Sequence, residues 1–285
     1  MSIEVKNLTH IYSEGLPHES KAVDDVSFTI CDGEFVGIIG HTGSGKSTLL
    51  QHLNGLLKPK SGNIIIDGVD ITDSKTRMID IRKKVGLVFQ YPEYQLFEET
   101  VAGDVAFGPT NLGLSKEEID RVVRKSIELV GLDYDSIKNA SPFELSGGQK
   151  RRVAMAGVLA MSPEVLVLDE PTAGLNPKAH ADILGMVDEI HRSENNIIIL
   201  VSHNMNDIAG MCDRVLVMDH GRLVMNGKPS EIFIRERELK EMGLALPDAL
   251  DITLRLREAG MDIRENCLTI AQAADAIADR LKTGD

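Results

Sequence analysis

Cysteine is scarce in this 285-residue chain, and tryptophan is absent. The three cysteines, Cys31, Cys212 and Cys267, are scattered and show no C-x-x-C spacing. A disulfide framework needs an even set of cysteines and a zinc site needs closely spaced pairs, so the sequence supports neither. This use of cysteine is typical of a protein in a reducing cytoplasm.

Positive charge and long apolar runs are also lacking. Lys and Arg number 31 against 44 Asp and Glu, a formal net charge of −13, whereas a general nucleic-acid surface depends on basic residues that neutralise phosphates. We therefore expect no nucleic-acid partner. The longest apolar runs, such as residues 197–201, are far too short to span a bilayer, and the first residues lack the layout of a secretory signal. If the protein works at a membrane, another subunit must supply the spans.

The strongest motif is an octapeptide that follows the apolar run 35–39 and fits the phosphate-loop pattern G-x-x-x-x-G-K-[ST]. Backbone N–H groups of such a loop form an anion site, to which the following helix adds the positive end of its dipole. The pattern predicts binding of a nucleoside triphosphate, with Lys46 on the β- and γ-phosphates, Ser47 on Mg²⁺ and Thr48 on the α-phosphate. The loop consists of Gly40, His41, Thr42, Gly43, Ser44, Gly45, Lys46 and Ser47.

Predicted strands and helices alternate around this loop, which indicates an α/β core. Strands are expected at 3–8, 26–30 and 63–68, a helix at 47–57, and a buried strand at 85–89 that ends on Gln90. From about 91 to 160 the sequence is mostly helical and predicts an inserted helical lobe. Near its end lies Leu-Ser-Gly-Gly-Gln, residues 145–149, which leads into a helix predicted at 153–159.

Two further buried strands end on polar side chains. Residues 165–168 lead to Asp169 and Glu170, and 196–201 lead to His203. Ligands of open parallel sheets lie at the carboxyl ends of the strands. Beside a phosphate loop, Asp169 is predicted to bind the Mg²⁺ shell and Glu170 to orient or deprotonate the water that attacks the γ-phosphate. The alternatives are an ordinary solvated turn and a structural histidine.

With these motifs in this order, the chain resembles the nucleotide-binding subunit of ATP-binding cassette (ABC) transporters over about residues 1–232. The resemblance implies an α/β P-loop NTPase fold. It comprises a RecA-like core sheet, an N-terminal antiparallel β region, a helical subdomain at about 91–160 and a small helical C-terminal extension. We expect a nucleotide-binding domain at 1–234 and an extension at 235–285 that mediates dimerisation.

The same resemblance implies the role of each motif, with ATP and Mg²⁺ as the cofactors. Gln90 would touch Mg²⁺ and the attacking water, Glu170 would be the catalytic base and His203 the switch histidine on the γ-phosphate. Tyr12 would stack on adenine, although a lone Tyr at a strand end also fits plain strand composition. Cassettes of this family close head to tail, so that the signature would contact ATP held by the other subunit. The signature residues are Ser146, Gly147, Gly148 and Gln149.

A narrower resemblance concerns residues 89–101 and the start of the phosphate loop, which are similar to ATPases of energy-coupling factor (ECF) transporters, particularly the second of their two ATPase subunits. Such transporters import vitamins or transition-metal ions. The resemblance implies three partners: a second ATPase (a paralogue or a second copy), a transmembrane coupling subunit and a membrane-embedded substrate-binding subunit. It places this chain peripherally on the cytoplasmic face of the cell membrane. The substrate would be chosen by another polypeptide.

The helical lobe opens with an acidic cluster of four side chains. We expect these to meet the coupling helices of the membrane subunit, the alternative being a solvated helix face. The cluster consists of Glu93, Glu98, Glu99 and Asp104.

One position departs from the ABC pattern, because Asn176 stands before Pro177 where the family usually has Asp. Asn keeps a hydrogen-bonding oxygen and loses the charge. If the oxygen is sufficient, the exchange is tolerated and hydrolysis is intact. If the charge matters, communication between the two ATP sites differs from the family norm. The alternatives for function are the ATPase of a conventional ABC transporter, a soluble ABC protein acting on DNA or ribosomes, and a non-hydrolysing regulatory partner.

Overall fold

The computed structural model describes residues 1–264 and 266–283, so residues 265, 284 and 285 of the predicted extension lie outside the described residues. The strands are β1 (Ile3–Tyr12), β2 (Ser20–Ile30), β3 (Phe35–Ile39), β4 (Ser61–Ile66), β5 (Val69–Asp70), β6 (Val85–Val88), β7 (Val165–Asp169), β8 (Ile197–Val201), β9 (Arg214–Asp219) and β10 (Arg222–Gly227). The helices are α1 (Lys46–Leu53), α2 (Met78–Lys84), α3 (Val101–Asn111), α4 (Lys116–Leu129), α5 (Tyr134–Ile137), α6 (Gly147–Leu159), α7 (Pro177–Glu194), α8 (Met205–Met211), α9 (Pro229–Phe233), α10 (Glu236–Glu241), α11 (Asp248–Glu258) and α12 (Ile270–Thr283).

Two sheets form the α/β core. A four-stranded antiparallel sheet has the order β2-β1-β4-β5, and a six-stranded sheet has the order β10-β9-β3-β8-β7-β6. Within the second sheet β9, β3, β8, β7 and β6 pair in parallel, and β10 joins antiparallel. Every residue of β3, β7 and β8 is buried, as expected for parallel strands covered on both faces. These sheets confirm the predicted fold class.

Alternate residues of the central strands face two separate cores. Ile38 packs in one cluster with Ile3 of β1 and Leu49 of α1, which joins the antiparallel sheet to one face. Phe35 packs in the other cluster with Val153 of α6 and Val187 of α7. Because the period of side chains along a strand is two, each strand contributes to both cores. Because the five strands β9, β3, β8, β7 and β6 pair in parallel, their carboxyl ends lie at one edge of the sheet.

The helical lobe consists of α3, α4, α5 and α6. Its final helix begins at Gly147, six residues before the predicted start, because Ser146 caps it. Helix α1 ends at Leu53, four residues before the predicted end at residue 57. Two residues after Leu53, Gly55 takes a left-handed φ of +67°. Glycine in this conformation commonly ends a helix.

The C-terminal extension begins inside the main core. Leu239, Leu244, Leu246 and Leu250 belong to the same buried cluster as the helical lobe. Asp248 is tied to Asn206 of α8, whose amide nitrogen donates to the Asp248 carboxylate at 2.8 Å and whose amide oxygen accepts from the Asp248 backbone N–H at 2.9 Å. The predicted boundary at residue 234 thus falls within a continuous packing unit, and the division into domains stays a prediction.

Candidate functional site

The carboxyl edge of the central sheet encloses a cavity of about 480 Å³. Strand β3 feeds the phosphate loop into it, β6 ends just before Gln90, β7 ends at Asp169 and β8 precedes His203. The cavity is lined by Tyr12, Ser20, Lys21, Ala22, Thr42, Gly43, Gly45, Lys46, Ser47, Thr48, Gln90, Glu170 and His203. Residues that are far apart in the sequence thus meet in one place, because parallel strands all present their carboxyl ends to the same edge.

The phosphate loop is shaped by close backbone approaches. Gly45 has a φ of +101°, and a Cβ there would lie 2.2 Å from the carbonyl oxygen of Ala22. Only glycine fits this cradle. The helix α1 starts at the next residue, Lys46, so its free N–H groups and dipole point at the loop. This geometry fits the phosphates of a nucleotide.

Lys46 folds back across the loop. Its Nζ donates to the carbonyl oxygens of Gly40 at 2.6 Å and of His41 at 2.9 Å, and the residue is 6% exposed. Burial lowers the pKa of Lys46, and the nearby carboxylates of Glu170 and Asp169 act in the opposite direction. The ammonium is therefore held in a desolvated position at the inner side of the loop, where an anionic ligand would be strongly attracted.

Asp169 is 8% exposed and accepts a hydrogen bond from Ser47. Burial raises the pKa of this carboxyl, and the charge of Glu170 adds to the effect, whereas Ser47, Lys46 and His203 lower it. A carboxylate and a hydroxyl oxygen at one point are the donor set that Mg²⁺ prefers. The residues present therefore fit a magnesium ion.

Glu170 has both carboxylate oxygens engaged. The Gln90 Nε2 donates to one oxygen at 2.9 Å, and the Nε2 of His203 lies 2.8 Å from the other. The Glu170 backbone adopts a left-handed φ of +51°, and its N–H donates to the carbonyl of Val201 at 3.0 Å. A left-handed conformation is costly for glutamate and is often found at functional sites. It turns this carboxylate into the cavity.

Tyr12 stands at the mouth of the cavity and is 40% exposed. Its hydroxyl lies 3.3 Å from Thr48 Oγ1, and its ring meets the ring of His10 edge-on at 4.5 Å. His10 in turn contacts the buried His52, with 3.1 Å between His52 Nε2 and His10 Nδ1. His10, itself in contact with His52, thus packs against the Tyr12 ring and holds it in place, which suits stacking on a base. The sequence reasoning missed both histidines, because neither lies in a motif.

The signature lies elsewhere. Among the described residues, Ser146, Gly148 and Gln149 line a separate hollow of about 210 Å³, together with Leu175 and other residues, and no signature residue lines the nucleotide cavity. Ser146 and Gln149 form a capping box at the start of α6. A Cβ added at Gly147 or Gly148 would meet no atom within 4 Å.

Arg151 is the principal residue that the sequence analysis overlooked. It is 2% exposed, and its guanidinium forms a bidentate pair with Glu93 at 3.0 and 2.7 Å. It also donates to the carbonyls of Pro171 at 3.1 Å and Ala173 at 2.7 Å. Arg151 therefore ties α6 to the segments that follow Gln90 and Glu170. Its only sequence signal is its position five residues after Ser146.

The acidic cluster is partly committed within the chain. Glu93 pairs with Arg151, and the Asp104 carboxylate accepts the backbone N–H groups of Phe97 and Glu98, both at 3.2 Å. Burial raises the pKa of Asp104. Glu93 and Asp104 thus have partners within the chain, and the contact of the four-residue cluster with a membrane subunit stays a prediction. Asn176, the departure from the family pattern, caps α7 by accepting from the Ala179 N–H at 3.0 Å.

Within residues 1–264 and 266–283, no helix has both the length and the apolar character that crossing a membrane requires.

Comparisons with known proteins agree with this geometry. A family model described as ABC transporter matches residues 23–173. The chain is similar to the energy-coupling factor transporter ATP-binding protein EcfA2 of Clostridium tetani, with 58% identity over 96% of this chain and 95% of the relative. It is 55% identical to EcfA2 of Clostridium perfringens over the full length of both.

Two solved structures are also similar. One is cbiO1 of Clostridium perfringens, described as part of the ABC transporter complex cbiONQ, with a TM-score of 0.73, 38% identity and coverage of 86% of this chain and 95% of that one. The other is the dimeric cassette MJ0796 in a post-hydrolysis state with ADP and Pi, with a TM-score of 0.71, 29% identity and coverage of 80% and 98%.

Proposed function

The chain belongs to the ABC transporter family, and from that premise we propose that it is the ATP-hydrolysing subunit of an energy-coupling factor importer. The observation that carries the chemistry is the Glu170 carboxylate, held between Gln90 and His203 beside the phosphate loop. The EcfA2 relatives, similar over nearly their whole length, support the transporter class. Vitamins and transition-metal ions are the proposed substrate classes of the complex.

The proposed reaction is in-line attack of water on the γ-phosphate of ATP, which breaks the bond between the γ-phosphorus and the bridging oxygen and releases ADP and phosphate. Tyr12 stacks on the adenine, the loop N–H groups bind the phosphates, and Lys46 transfers its Nζ from the loop carbonyls to the β- and γ-phosphate oxygens. Glu170 accepts a hydrogen bond from the attacking water and takes up its proton, while His203 contacts the γ-phosphate. Ser47, Asp169 and Gln90 would hold Mg²⁺, which neutralises phosphate charge when bound.

A second ATPase subunit would complete each site. The supporting observation is the start of α6, where Gly147 and Gly148 have no side chain that covers the backbone. Within its described residues this chain also places no other group against them. Backbone N–H groups at a helix N-terminus can bind phosphate. We assign it to ATP held by the partner subunit, a paralogue or a second copy. The dimeric MJ0796 cassette supports this arrangement.

The membrane subunit would dock in an apolar groove between the core and the helical lobe. This groove has a volume of about 580 Å³ and includes Leu56, Ile79, Phe97 and Phe107, which are 45–56% exposed. Apolar side chains this exposed suit an interface. Glu98 and Glu99 lie in the segment next to Phe97 and would meet basic groups of the partner. This docking would place the chain peripherally on the cytoplasmic face of the membrane.

The extension would pair the two ATPases. Ile252, Ile270 and Leu281 are exposed by 51%, 76% and 66%. Exposed apolar side chains on α11 and α12 suit packing against an equivalent tail.

The chemistry is tested by phosphate release from the purified complex with Glu170→Gln. We expect hydrolysis to fall by roughly 100-fold or more, because the variant cannot take up the proton, while ATP binding persists. Unchanged hydrolysis would contradict the assignment of Glu170. Hydrolysis absent from the wild-type complex would instead favour the regulatory alternative.

The partners are tested by purifying the tagged chain from membranes and identifying the associated chains. A second ATPase, one transmembrane subunit and a small membrane protein would support the importer; two large permeases would indicate a conventional transporter, and no membrane partner would contradict transport. Reversing Glu98 and Glu99 to Lys should weaken recovery of the membrane subunit, whereas the control Glu117→Lys, on the exposed face of α4, should not.

A further inference from the structure

The turn between β9 and β10 is fastened to the phosphate loop. Gly221 donates its backbone N–H to the carbonyl of Ser44 at 3.0 Å. At this junction His41 Nε2 lies 3.0 Å from Asp219 Oδ1, and His220 Nδ1 lies 2.9 Å from the same oxygen. Potential ligand atoms of the three side chains all lie within 4.8 Å of one another, and no other such group occurs in the part of the chain that the structure describes.

The hydrogen bonds of His41 define which ring nitrogen carries a proton. Its Nδ1 lies 2.8 Å from the carbonyl oxygen of Thr42. A carbonyl oxygen only accepts, so Nδ1 carries the hydrogen, and in the neutral ring Nε2 presents a lone pair. That lone pair faces the Asp219 carboxylate at 3.0 Å. A contact between two acceptors needs either a proton on Nε2 or a metal ion that both atoms ligate.

A metal ion can take the place of that proton when it lies to one side of the line joining the two atoms, because Zn–N and Zn–O bonds of about 2.0–2.2 Å do not fit end to end within 3.0 Å. Histidines that bind metals commonly donate their other ring N–H to a backbone carbonyl, as His41 does to Thr42. Two imidazole nitrogens and one carboxylate oxygen form a three-ligand set typical of Zn²⁺ with an open fourth position. Mg²⁺ prefers oxygen ligands alone, so this site differs chemically from that of Ser47 and Asp169.

We propose that His41, Asp219 and His220 form a binding site for a divalent transition-metal ion of the Zn²⁺ type at the outer side of the phosphate loop. The site is accessible, because the side chains are 31%, 24% and 83% exposed. An ion there joins the loop to the β9–β10 turn. It also fixes His41, whose carbonyl holds Lys46 Nζ at 2.9 Å. Occupancy therefore stabilises the nucleotide-free loop.

The test is calorimetric titration of Zn²⁺ into the chelator-treated, nucleotide-free full chain. The variant is His220→Asn, because residue 220 has a φ of +46° and Asn tolerates this conformation. The control is His18→Asn, which removes an exposed histidine outside the cluster. We expect one high-affinity Zn²⁺ per chain in wild type and control. Affinity should fall at least about tenfold in the variant, and Zn²⁺ should raise the Tm only where it binds.

Co²⁺ supplies an independent readout, since ligation by these side chains would change its visible absorption in wild type and not in His220→Asn. Circular dichroism verifies folding, and His41→Gln should reproduce the loss. Equal affinities in wild type and variants would overturn the proposal. Absence of saturable binding would also overturn it, and would identify the contact between His41 and Asp219 as an imidazolium–carboxylate pair.

Discussion

The nucleotide cavity and the start of α6 differ in how far this one chain completes them. At the cavity three polar side chains have partners from the same chain: Lys46 on loop carbonyls, Asp169 on Ser47, and Glu170 between Gln90 and His203. At the start of α6, Gly147 and Gly148 face open space. The chain thus supplies internal partners at the nucleotide cavity and leaves the start of α6 uncovered.

Burial explains the difference. Lys46 and Asp169 are almost inaccessible to water, so their polar atoms need partners before any ligand arrives. The backbone at Gly147 is exposed and is solvated by water until another molecule covers it. Substitutions in the nucleotide cavity should therefore change the stability of the isolated chain. Substitutions at the start of α6 should change its association with a partner subunit.

The largest expected effect is the loss of stability when the contacts of Arg151, which join α6 to the segment after Glu170, are removed. Arg151→Met removes the guanidinium that joins α6 to Glu93 and to the carbonyls of Pro171 and Ala173. Because a carboxylate is left half-buried without its partner, we expect unfolding free energy to fall by about 3–5 kcal/mol in urea titrations. The control is Arg152→Met, whose ion pair with Asp182 is more exposed and should be worth about 1 kcal/mol or less. Equal losses would contradict the special position of Arg151.

The second prediction concerns a substitution at the start of α6 that should weaken dimerisation without changing the stability of the isolated chain. Gly147→Val should leave the stability of the isolated chain within about 1 kcal/mol, since the new side chain meets nothing. ATP-dependent dimerisation should weaken at least about tenfold, equivalent to about 1.4 kcal/mol, as measured by analytical ultracentrifugation. Gly185→Val in α7, also facing open space, is the matched control. An unaltered dimer in Gly147→Val would remove the signature from the interface.

The third prediction concerns the cap of α7, next to the hollow that Ser146 and Ala179 line. Asn176→Ala removes the acceptor of the Ala179 N–H and should cost about 1 kcal/mol of unfolding free energy. Asn176→Asp keeps the acceptor and should retain stability within about 0.5 kcal/mol. Thermal unfolding compares the three proteins. Equal stability of the Ala and Asn forms would show that the cap contributes nothing.

The smallest effect concerns the support behind Tyr12. Burial lowers the pKa of His52 from its ordinary value of 6.5, against a hydrogen bond to the Thr48 carbonyl that raises it. Below pH 6.5 the unfolded chain binds a proton that the folded chain resists. Stability is therefore fully present above this pH and is lost as the pH falls through the lowered pKa. Denaturant titrations at several pH values should show a weaker pH dependence in His52→Gln than in wild type and in the exposed control His18→Gln.

Much of the fold was predictable because its signals are local. Continuous apolar runs identified β3, β7 and β8, and the phosphate-loop pattern identified Gly45 and Lys46. Boundaries were less accurate where a side chain decided them. The cap Ser146 lets α6 begin earlier than the apolar pattern predicts. Gly55 stops α1 before the predicted helix end. Both are capping effects that hydrophobic periodicity does not report.

The sequence by itself determined the family, the nucleotide loop and the order of the motifs, because each depends on neighbouring residues at fixed spacing. Only the tertiary structure decided which side chains share a partner. It pairs Glu93 with Arg151, places His10 and His52 beside Tyr12, and brings His41 to Asp219. These pairs are separated by up to 178 residues, and their meeting depends on how the strands order themselves in the sheet, which no local pattern encodes.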